Sequence, residues 1–306
     1  MRAVVVSQWG GPEVLTETEV DRPEPGLGEI LVRVHAAGVN PVDWKTRASG
    51  AFIGWGPVPT VGWDVSGTVE AVGPGVTLYR PGDEVYGMPR FPQQAGGYAE
   101  YVTAPARHFA RKPASLDHVQ AAALPLAALT AWQALVDTAG VAAGQRVLVH
   151  AAAGGVGHLA VQIAKARGAY VIGTASAAKH EVLRELGADE LIDYRAGDFA
   201  EAVSDVDVVL DALGGEVAQR SLKVLKPGGH LVTLLGPDVP AGADGVHASF
   251  VMVEPDLKGL EEIAALVEQG LLRPLVETVL PLEQAARAHE IGERGRTTGK
   301  IVLTVA

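Results

Sequence analysis

The segment Val147-Leu148-Val149-His150-Ala151-Ala152-Ala153-Gly154-Gly155-Val156-Gly157 constrains the fold of this chain more than any other. An unbroken apolar run reads as a strand covered on both faces, as in a central parallel strand. It enters a glycine-rich turn that opens a helix. Gly154 lets backbone approach a ligand, and Gly157 lets the helix lie close to the strand. N–H groups at a helix start, reinforced by the macrodipole, favour an anion such as a pyrophosphate. Ala152 stands where the first glycine of the strict fingerprint would be, so the loop by itself is a weak signal. A second strand over 170–174 strengthens it.

The surrounding pattern alternates. Strands are predicted at 146–151, 170–174, 190–194, 206–211 and 229–235, and helices at 156–167, 177–187, 198–204 and 215–226. This βαβ repetition implies a doubly wound parallel sheet with right-handed crossovers. A strand near 247–252 and a helix at 255–269 would complete it. The first hundred residues differ. Glu29–Val39 alternates, with Ile30, Val32, Val34 and Ala36 on one face and Arg33 and His35 on the other. Short strands at 65–72 and 98–103, separated by Gly/Pro turns, suggest a barrel or sandwich. Asp117–Leu124 and Ala127–Ala139 read as helices interrupted at Pro125. The tail over 271–306 adds a strand at 276–280, a helix at 282–293 and a last strand at 300–305. The fold class is therefore α/β, with domains expected at 1–115 and 116–270 and a return to the first domain over 271–306.

Composition narrows the chemistry. The formal net charge of −11 argues against nucleic acid and anionic membranes as partners. The absence of cysteine excludes disulfides, thiolate metal sites and a cysteine nucleophile. No long charge-free apolar segment appears, so no membrane span is expected. The expected setting is soluble and cytoplasmic.

An NAD site usually places a carboxylate at the end of the second strand for the ribose 2′-hydroxyl. Here Gly173-Thr174-Ala175-Ser176-Ala177-Ala178-Lys179 carries none. The hydroxyls of Thr174 and Ser176 and the Lys179 ammonium suit a 2′-phosphate, so NADP(H) is the expected cofactor. Ser176 as a helix cap and Lys179 as a solvated charge are the alternatives. Tyr194 either lies along the adenosine or simply ends a strand. Arg296 and Lys300 either add positive potential to the cofactor pocket or are surface charges.

These residues resemble the medium-chain dehydrogenase/reductase superfamily, in its zinc-independent quinone oxidoreductase branch. The resemblance spans the chain through Ala36-Ala37-Gly38-Val39-Asn40-Pro41-Val42-Asp43, Val61-Gly62-Trp63-Asp64-Val65-Ser66-Gly67-Thr68-Val69, Pro81-Gly82-Asp83-Glu84-Val85 and Gly96-Gly97-Tyr98-Ala99-Glu100-Tyr101. It continues through Leu129-Thr130-Ala131-Trp132, the glycine loop, Leu186-Gly187-Ala188-Asp189 and Gly299-Lys300-Ile301-Val302-Leu303. It implies a GroES-like β-barrel domain, a Rossmann domain, an active-site cleft between them, and a homodimer joined at the Rossmann edge.

By that resemblance Asn40 meets the nicotinamide ribose or the substrate oxygen, and Thr130 holds the nicotinamide side. Gly154, Gly155 and Val156 cradle the diphosphate. Leu235, Gly236, Phe250 and Val251 line the nicotinamide wall. Asp43 either orients the Asn40 loop or is an ordinary turn residue. Zinc-dependent relatives hold metal with a thiolate, an imidazole and often a carboxylate. Asn40 and the triplet Gly62-Trp63-Asp64 stand in those places here, and a tetrahedral site needs three protein ligands, so no metal is expected. Trp44, Trp55 and Trp63, with Phe52 nearby, either form an apolar slot for a flat acceptor or pack barrel loops. Phe52 stands where many relatives carry a tyrosine, which leaves the proton donor open, with water or Lys45 as candidates. The implied activity is hydride transfer from NADPH to quinones or activated enones. An enoyl-thioester reductase of the same superfamily and an NADPH-binding sensor with little turnover are the alternatives.

Overall fold

A computed structural model describes residues 1–50, 60–239 and 245–305. The chain divides into two compact units. Unit 1 comprises Met1–Leu129, Glu254–Glu268 and Pro274–Ala306; unit 2 comprises Thr130–Val253 and Gln269–Arg273.

Unit 1 is built around the eleven-residue strand Glu29–Val39. From Ile30 to Gly38 it pairs antiparallel with Asp64–Val72, with register shifts between Leu31 and Val32 and between Val34 and Ala36. On its other edge its first half pairs with Tyr101–Pro105 and its last four residues pair with Lys300–Thr304. Val276–Pro281 lies parallel to that last strand. Glu84–Gly87 and Phe109–Arg111 extend the other side of the sheet. Arg2–Val6 and Leu15–Glu19 form a separate hairpin. Ile30, Val32 and Val34 are buried with Val65, Val69, Val102 and Leu303, while Arg33 is exposed. The predicted alternation holds through Val34, but the register shifts between Val34 and Ala36, so Ala37 joins that core and Ala36 is buried on the other face with Ala122, Ala123 and Val302.

The pairing of Lys300–Thr304 with Val39–Ala36 matters for the site. It brings the end of the chain beside the strand that delivers Asn40. The helix Pro41–Ser49 follows at once, with Pro41 in its first turn and Asn40 as its N-cap residue.

Unit 2 holds a six-stranded parallel sheet in the order Glu190–Ile192, Tyr170–Thr174, Arg146–Val149, Val206–Asp211, Leu225–Thr233, His247–Phe250. The sheet grows outward on both sides of Arg146–Val149, so the order of connection reverses beside that strand. Ligands bind at such a reversal, off the carboxyl ends of the strands. Val147, Leu148 and Val149 are fully buried, as are Val209 and Leu210 next door.

Several expected elements form differently. Pro125 begins the helix Pro125–Trp132 rather than interrupting one, because a first-turn proline needs no N–H partner. The chain then widens into a π-helical stretch, Gln133–Thr138, with Ala139 N–H donating to Ala134 O at 3.0 Å. The helix expected at 215–226 stops at Ser221, and the following strand starts early, at Leu225. Its pairing with Val206–Asp211 skips between Leu225 and His230, so Lys226–Gly229 form an irregularity in the ladder. The helix expected over 255–269 forms as Leu257–Glu268, but it packs within unit 1, where the Tyr86 hydroxyl donates to Leu260 O at 2.6 Å. Its hydrophobic period located the helix and carried no information about which sheet it covers.

Candidate functional site

In unit 2 the turn after Arg146–Val149 is closed by backbone. Ala151 has φ 50°, a left-handed conformation that costs a non-glycine residue energy. Three bonds hold the turn. Ala151 N–H donates to Thr174 Oγ1 at 3.3 Å, Ala152 N–H to Thr174 O at 3.0 Å, and Gly154 N–H to Ala151 O at 2.8 Å. The helix Gly157–Ala166 then starts so close to the turn that a Cβ on Gly157 would sit against Ala151 O and within 2.8 Å of the Ala152 backbone. The left-handed residue is Ala151, and the glycine that close packing demands is Gly157. Gly154, Gly155 and Val156 are half-buried at the mouth of the turn. Small residues there, at the start of a helix, fit a diphosphate.

Two residues stand behind this turn: His150, a histidine at the end of the apolar strand in the sequence, and Asp211, which was not singled out from it. His150 bridges Thr174 Oγ1 at 3.1 Å and Ser221 Oγ at 2.9 Å, and burial lowers its pKa to about 4, so it is a neutral bridge. Asp211, fully buried, accepts from the N–H groups of Leu213 (2.9 Å) and Gly214 (3.0 Å) and from the Thr233 hydroxyl (3.0 Å). It shapes the turns that follow two adjacent strands. Their only sequence signal is a polar residue ending an apolar strand.

The expected cofactor residues of unit 2 divide. Leu235 is exposed, Gly236 has φ 133°, and Val251 N–H donates to Thr233 O at 3.0 Å, with Phe250 half-buried before it. Lys179 is half-buried at the end of the short turn Ala177–Lys179, whose N-cap residue is Ser176; Lys179 N–H donates to Ser176 O at 2.9 Å. Tyr194 is 56 % exposed, with the Arg195 guanidinium 5.6 Å from its ring centroid. Thr130 is buried on the helix Pro125–Trp132. Thr174 corrects an expectation. Its hydroxyl points into the unit, toward Ala151 N–H and His150, and is not offered to a 2′-phosphate.

In unit 1 Asn40 is 2 % exposed and is gripped from two sides. Its N–H donates to Asp43 Oδ2 at 2.7 Å, one helical turn ahead. Its side-chain Nδ2 donates to Asp64 Oδ2 at 2.8 Å, and its Oδ1 accepts from the Lys300 ammonium. Lys300 Nζ also lies 3.3 Å from Asp64 Oδ2, while Leu126 N–H donates to Asp64 Oδ1 at 2.6 Å. The approach is tight. A Cβ on Gly38 would come within 3.0 Å of the Asp64 side chain and against Ala122 O, so only glycine fits there. Burial pushes the Asp64 carboxyl upward, and the Lys300 ammonium opposes that push.

Behind Asp43 runs a second buried chain. The Tyr98 hydroxyl donates to Asp43 Oδ2 at 2.9 Å and lies 3.3 Å from His289 Nε2. Arg47 donates to His289 Nδ1 at 3.2 Å and pairs with Glu293 at 2.5 Å. Asp43 Oδ1 is buried with no hydrogen-bond partner among the described residues. Burial, only partly countered by the Asn40 and Tyr98 hydrogen bonds, raises the Asp43 carboxyl to about 7. His289 is lowered to about 3, first by burial and then by Arg47.

Two further expectations are corrected. Lys300 is neither a surface charge nor available to a phosphate, because its ammonium is 3 % exposed and bound to Asn40 and Asp64. Trp63 does not face an open slot. It is fully buried, its ring packs edge-on against Phe91 at 5.5 Å between centroids, and its Nε1–H donates to Gln93 O at 2.8 Å. Phe52 and Trp55 lie outside the described residues.

Among the described residues no three His, Asp or Glu side chains converge in a way that could hold a metal ion. No helix there is long and apolar enough to cross a membrane.

Comparison with known proteins gives a consistent picture. Residues 26–114 match the alcohol dehydrogenase GroES-like domain family, and residues 186–303 match the zinc-binding dehydrogenase family. The chain is 35 % identical to the quinone oxidoreductase of Mus musculus, with 99 % of this chain and 97 % of that protein covered. It is 38 % identical to the chloroplastic NADPH-dependent alkenal/one oxidoreductase of Arabidopsis thaliana, covering 99 % of this chain and 79 % of the other. Among solved structures it is similar to the quinone oxidoreductase from Coxiella burnetii (TM-score 0.93, 37 % identity, 100 % and 99 % of the two chains). It is also similar to the Escherichia coli quinone oxidoreductase complexed with NADPH (TM-score 0.87, 29 % identity, 100 % of both chains).

Proposed function

We infer the chemistry from one premise: this chain belongs to the quinone oxidoreductase branch of the medium-chain dehydrogenase/reductase superfamily. It is an NADPH-dependent oxidoreductase that acts on small quinones and activated enones. The observation that carries this reading on the chain's own residues is the turn Ala151–Gly157, held by Thr174 and opened by Gly154, Gly155 and Val156 at the point where the sheet reverses.

In our assignment that turn holds the diphosphate, and Ser176, Lys179 and Tyr194 hold the 2′-phosphate end. Thr130, Leu235, Gly236, Phe250 and Val251 flank the nicotinamide, and Asn40 meets the ribose or the acceptor oxygen. NADPH, when bound, supplies the hydride. The protein contributes orientation and excludes water. The zinc-binding name of one matched family does not extend to these residues. Asp64 has both oxygens engaged by Leu126, Asn40 and Lys300, and Trp63 is turned into the core. With no Lewis acid to polarise a simple ketone, the acceptors that fit are already electron-poor. A homodimer joined along the edge strand His247–Phe250 belongs to the same proposal, and light scattering on the purified protein tests it.

The test of function is the loss of NADPH absorbance with quinones and enones, paired with fluorescence titration of both coenzymes. NADPH should bind at least about tenfold tighter than NADH, a difference of ~1.4 kcal/mol. Lys179→Ala should remove most of that preference. Equal affinities would overturn the 2′-phosphate assignment. Binding without turnover on any electron-poor acceptor would overturn the activity.

A further inference from the structure

A buried ion pair is a poor way to stabilise a fold. The desolvation of both charges offsets their attraction, and apolar residues of similar volume often do as well or better. Lys300 and Asp64 form such a pair, 3 % and 0 % exposed and 236 positions apart in the chain. What distinguishes this pair is the third group in it. The Asn40 carboxamide lies with its oxygen on the ammonium and its nitrogen on the carboxylate. A carboxamide is nearly symmetric in shape and can ordinarily turn over by half a revolution. Here the turned-over state would set N–H groups against N–H groups at Lys300 and oxygen against oxygen at Asp64. Both contacts would be repulsive, among side chains that are almost wholly buried.

We propose that Lys300 and Asp64 are positioning residues that lock the Asn40 carboxamide in one orientation, so that Asn40 presents a single donor–acceptor pattern to the nicotinamide ribose or the acceptor. The proposal rests on the role given to Asn40 above. The surroundings of the trio are built to keep it fixed. Leu126 N–H holds the far oxygen of Asp64, Asp43 holds the Asn40 backbone, and the absent Cβ of Gly38 lets Asp64 approach. The register of Lys300–Thr304 on the strand ending at Val39 sets Lys300 one residue beyond the Ile301–Val39 pair, level with Asn40. Lys300 therefore acts through Asn40 rather than on a phosphate.

The test uses the full chain without coenzyme and then with it. In the unliganded protein, the side-chain amide protons of Asn40, assigned by Asn40→Asp, should exchange slowly with solvent. Lys300→Met should speed that exchange at least about tenfold. Because Lys300→Met leaves Asp64 buried without its partner and can unfold unit 1, the double variant Asp64→Asn/Lys300→Met, which removes both charges, is measured beside it. In whichever variant is folded, kcat should fall about 10- to 100-fold, the size expected when a group is misplaced by about an ångström. The dissociation constant for NADPH should stay within about threefold. Unchanged exchange and unchanged kcat in the folded double variant would overturn the lock. A loss of NADPH affinity with kcat preserved would also overturn it, returning Lys300 to the cofactor. An unchanged rate in Asn40→Ala would instead sink the reading of Asn40 itself. A lowered rate there, with an undisturbed amide in the double variant, would sink the lock alone.

Discussion

In unit 2 the turn over 151–157 is shaped by backbone hydrogen bonds, a left-handed alanine and glycines without Cβ atoms, with the neutral His150 bridging Thr174 and Ser221 behind it. In unit 1 Asn40 is held by side chains, with two buried carboxylates, one ammonium, a tyrosine, a histidine and an arginine in contact sequence. The difference teaches how each task is met. On the assignment proposed above, holding a diphosphate needs many N–H groups and little else, so backbone suffices. On the same proposal, fixing one carboxamide among alternatives needs charges of both signs at defined distances, and only side chains supply them.

The comparison breaks most readily at Gly157. A backbone-built cradle should collapse when a single methyl is added where Ala151 O and the Ala152 backbone already sit. Gly157→Ala is expected to weaken NADPH binding about 100-fold or more, because neighbouring backbone must shift. Isothermal titration measures it, and affinity within about threefold of the parent would show that the cradle does not depend on close packing.

Asn40→Ala is the matching cut in unit 1. It should lower turnover about 10- to 100-fold and move NADPH affinity much less. If kcat holds and only affinity drops, the two regions do not divide the work as argued.

Acid should separate the units by a smaller amount. His150 is depressed from 6.5 to about 4 in the folded state, so the unfolded chain binds more protons between those values. The stability it contributes is complete above pH 6.5 and is lost as pH falls toward 4. Asp43 has the opposite sign. Its folded pKa of about 7 stands above the ordinary 3.8, so the native state binds more protons in that window. The stability it contributes is present at low pH and is lost as pH rises to 7. His289, depressed to about 3, opposes Asp43 over the range they share. The Asp43 and His289 contributions thus oppose one another from pH 6.5 to pH 4, while His150 weakens unit 2 by up to ~1.4 kcal/mol per pH unit. Hydrogen exchange read by mass spectrometry should show amides around His150 losing protection as pH falls, and His150→Asn should reduce the loss. An unchanged loss in His150→Asn would contradict the assignment of this charge.

The glycine turn was readable from the chain because its parts are neighbours. An apolar run, a turn and a helix start lie within eleven residues, and each has a local signature. Even there the sequence pointed to Thr174 as a ligand, when its hydroxyl is drawn inward by Ala151 and His150. In unit 1 the position of Asn40 could be seen at the end of an alternating strand, but its partners could not. Lys300 read as a surface or phosphate-facing charge because nothing local distinguishes a buried lysine from a solvated one. Its burial follows from the pairing of the last strand with the strand ending at Val39.

From local pattern alone, the amino-acid sequence determined most strands and helices of unit 2, their parallel alternation, the place of the glycine turn and the lack of thiolate ligands. All of these depend on residues close together in the chain. Only the tertiary structure decided that Lys300 meets Asp64 and Asn40, that Arg47 reaches His289, that the helix Leu257–Glu268 covers unit 1, and that Trp63 is core. The reason is physical: the pKa of a buried group and the orientation of a carboxamide are set by whatever stands within a few ångströms, and here those neighbours lie tens to hundreds of residues away along the chain.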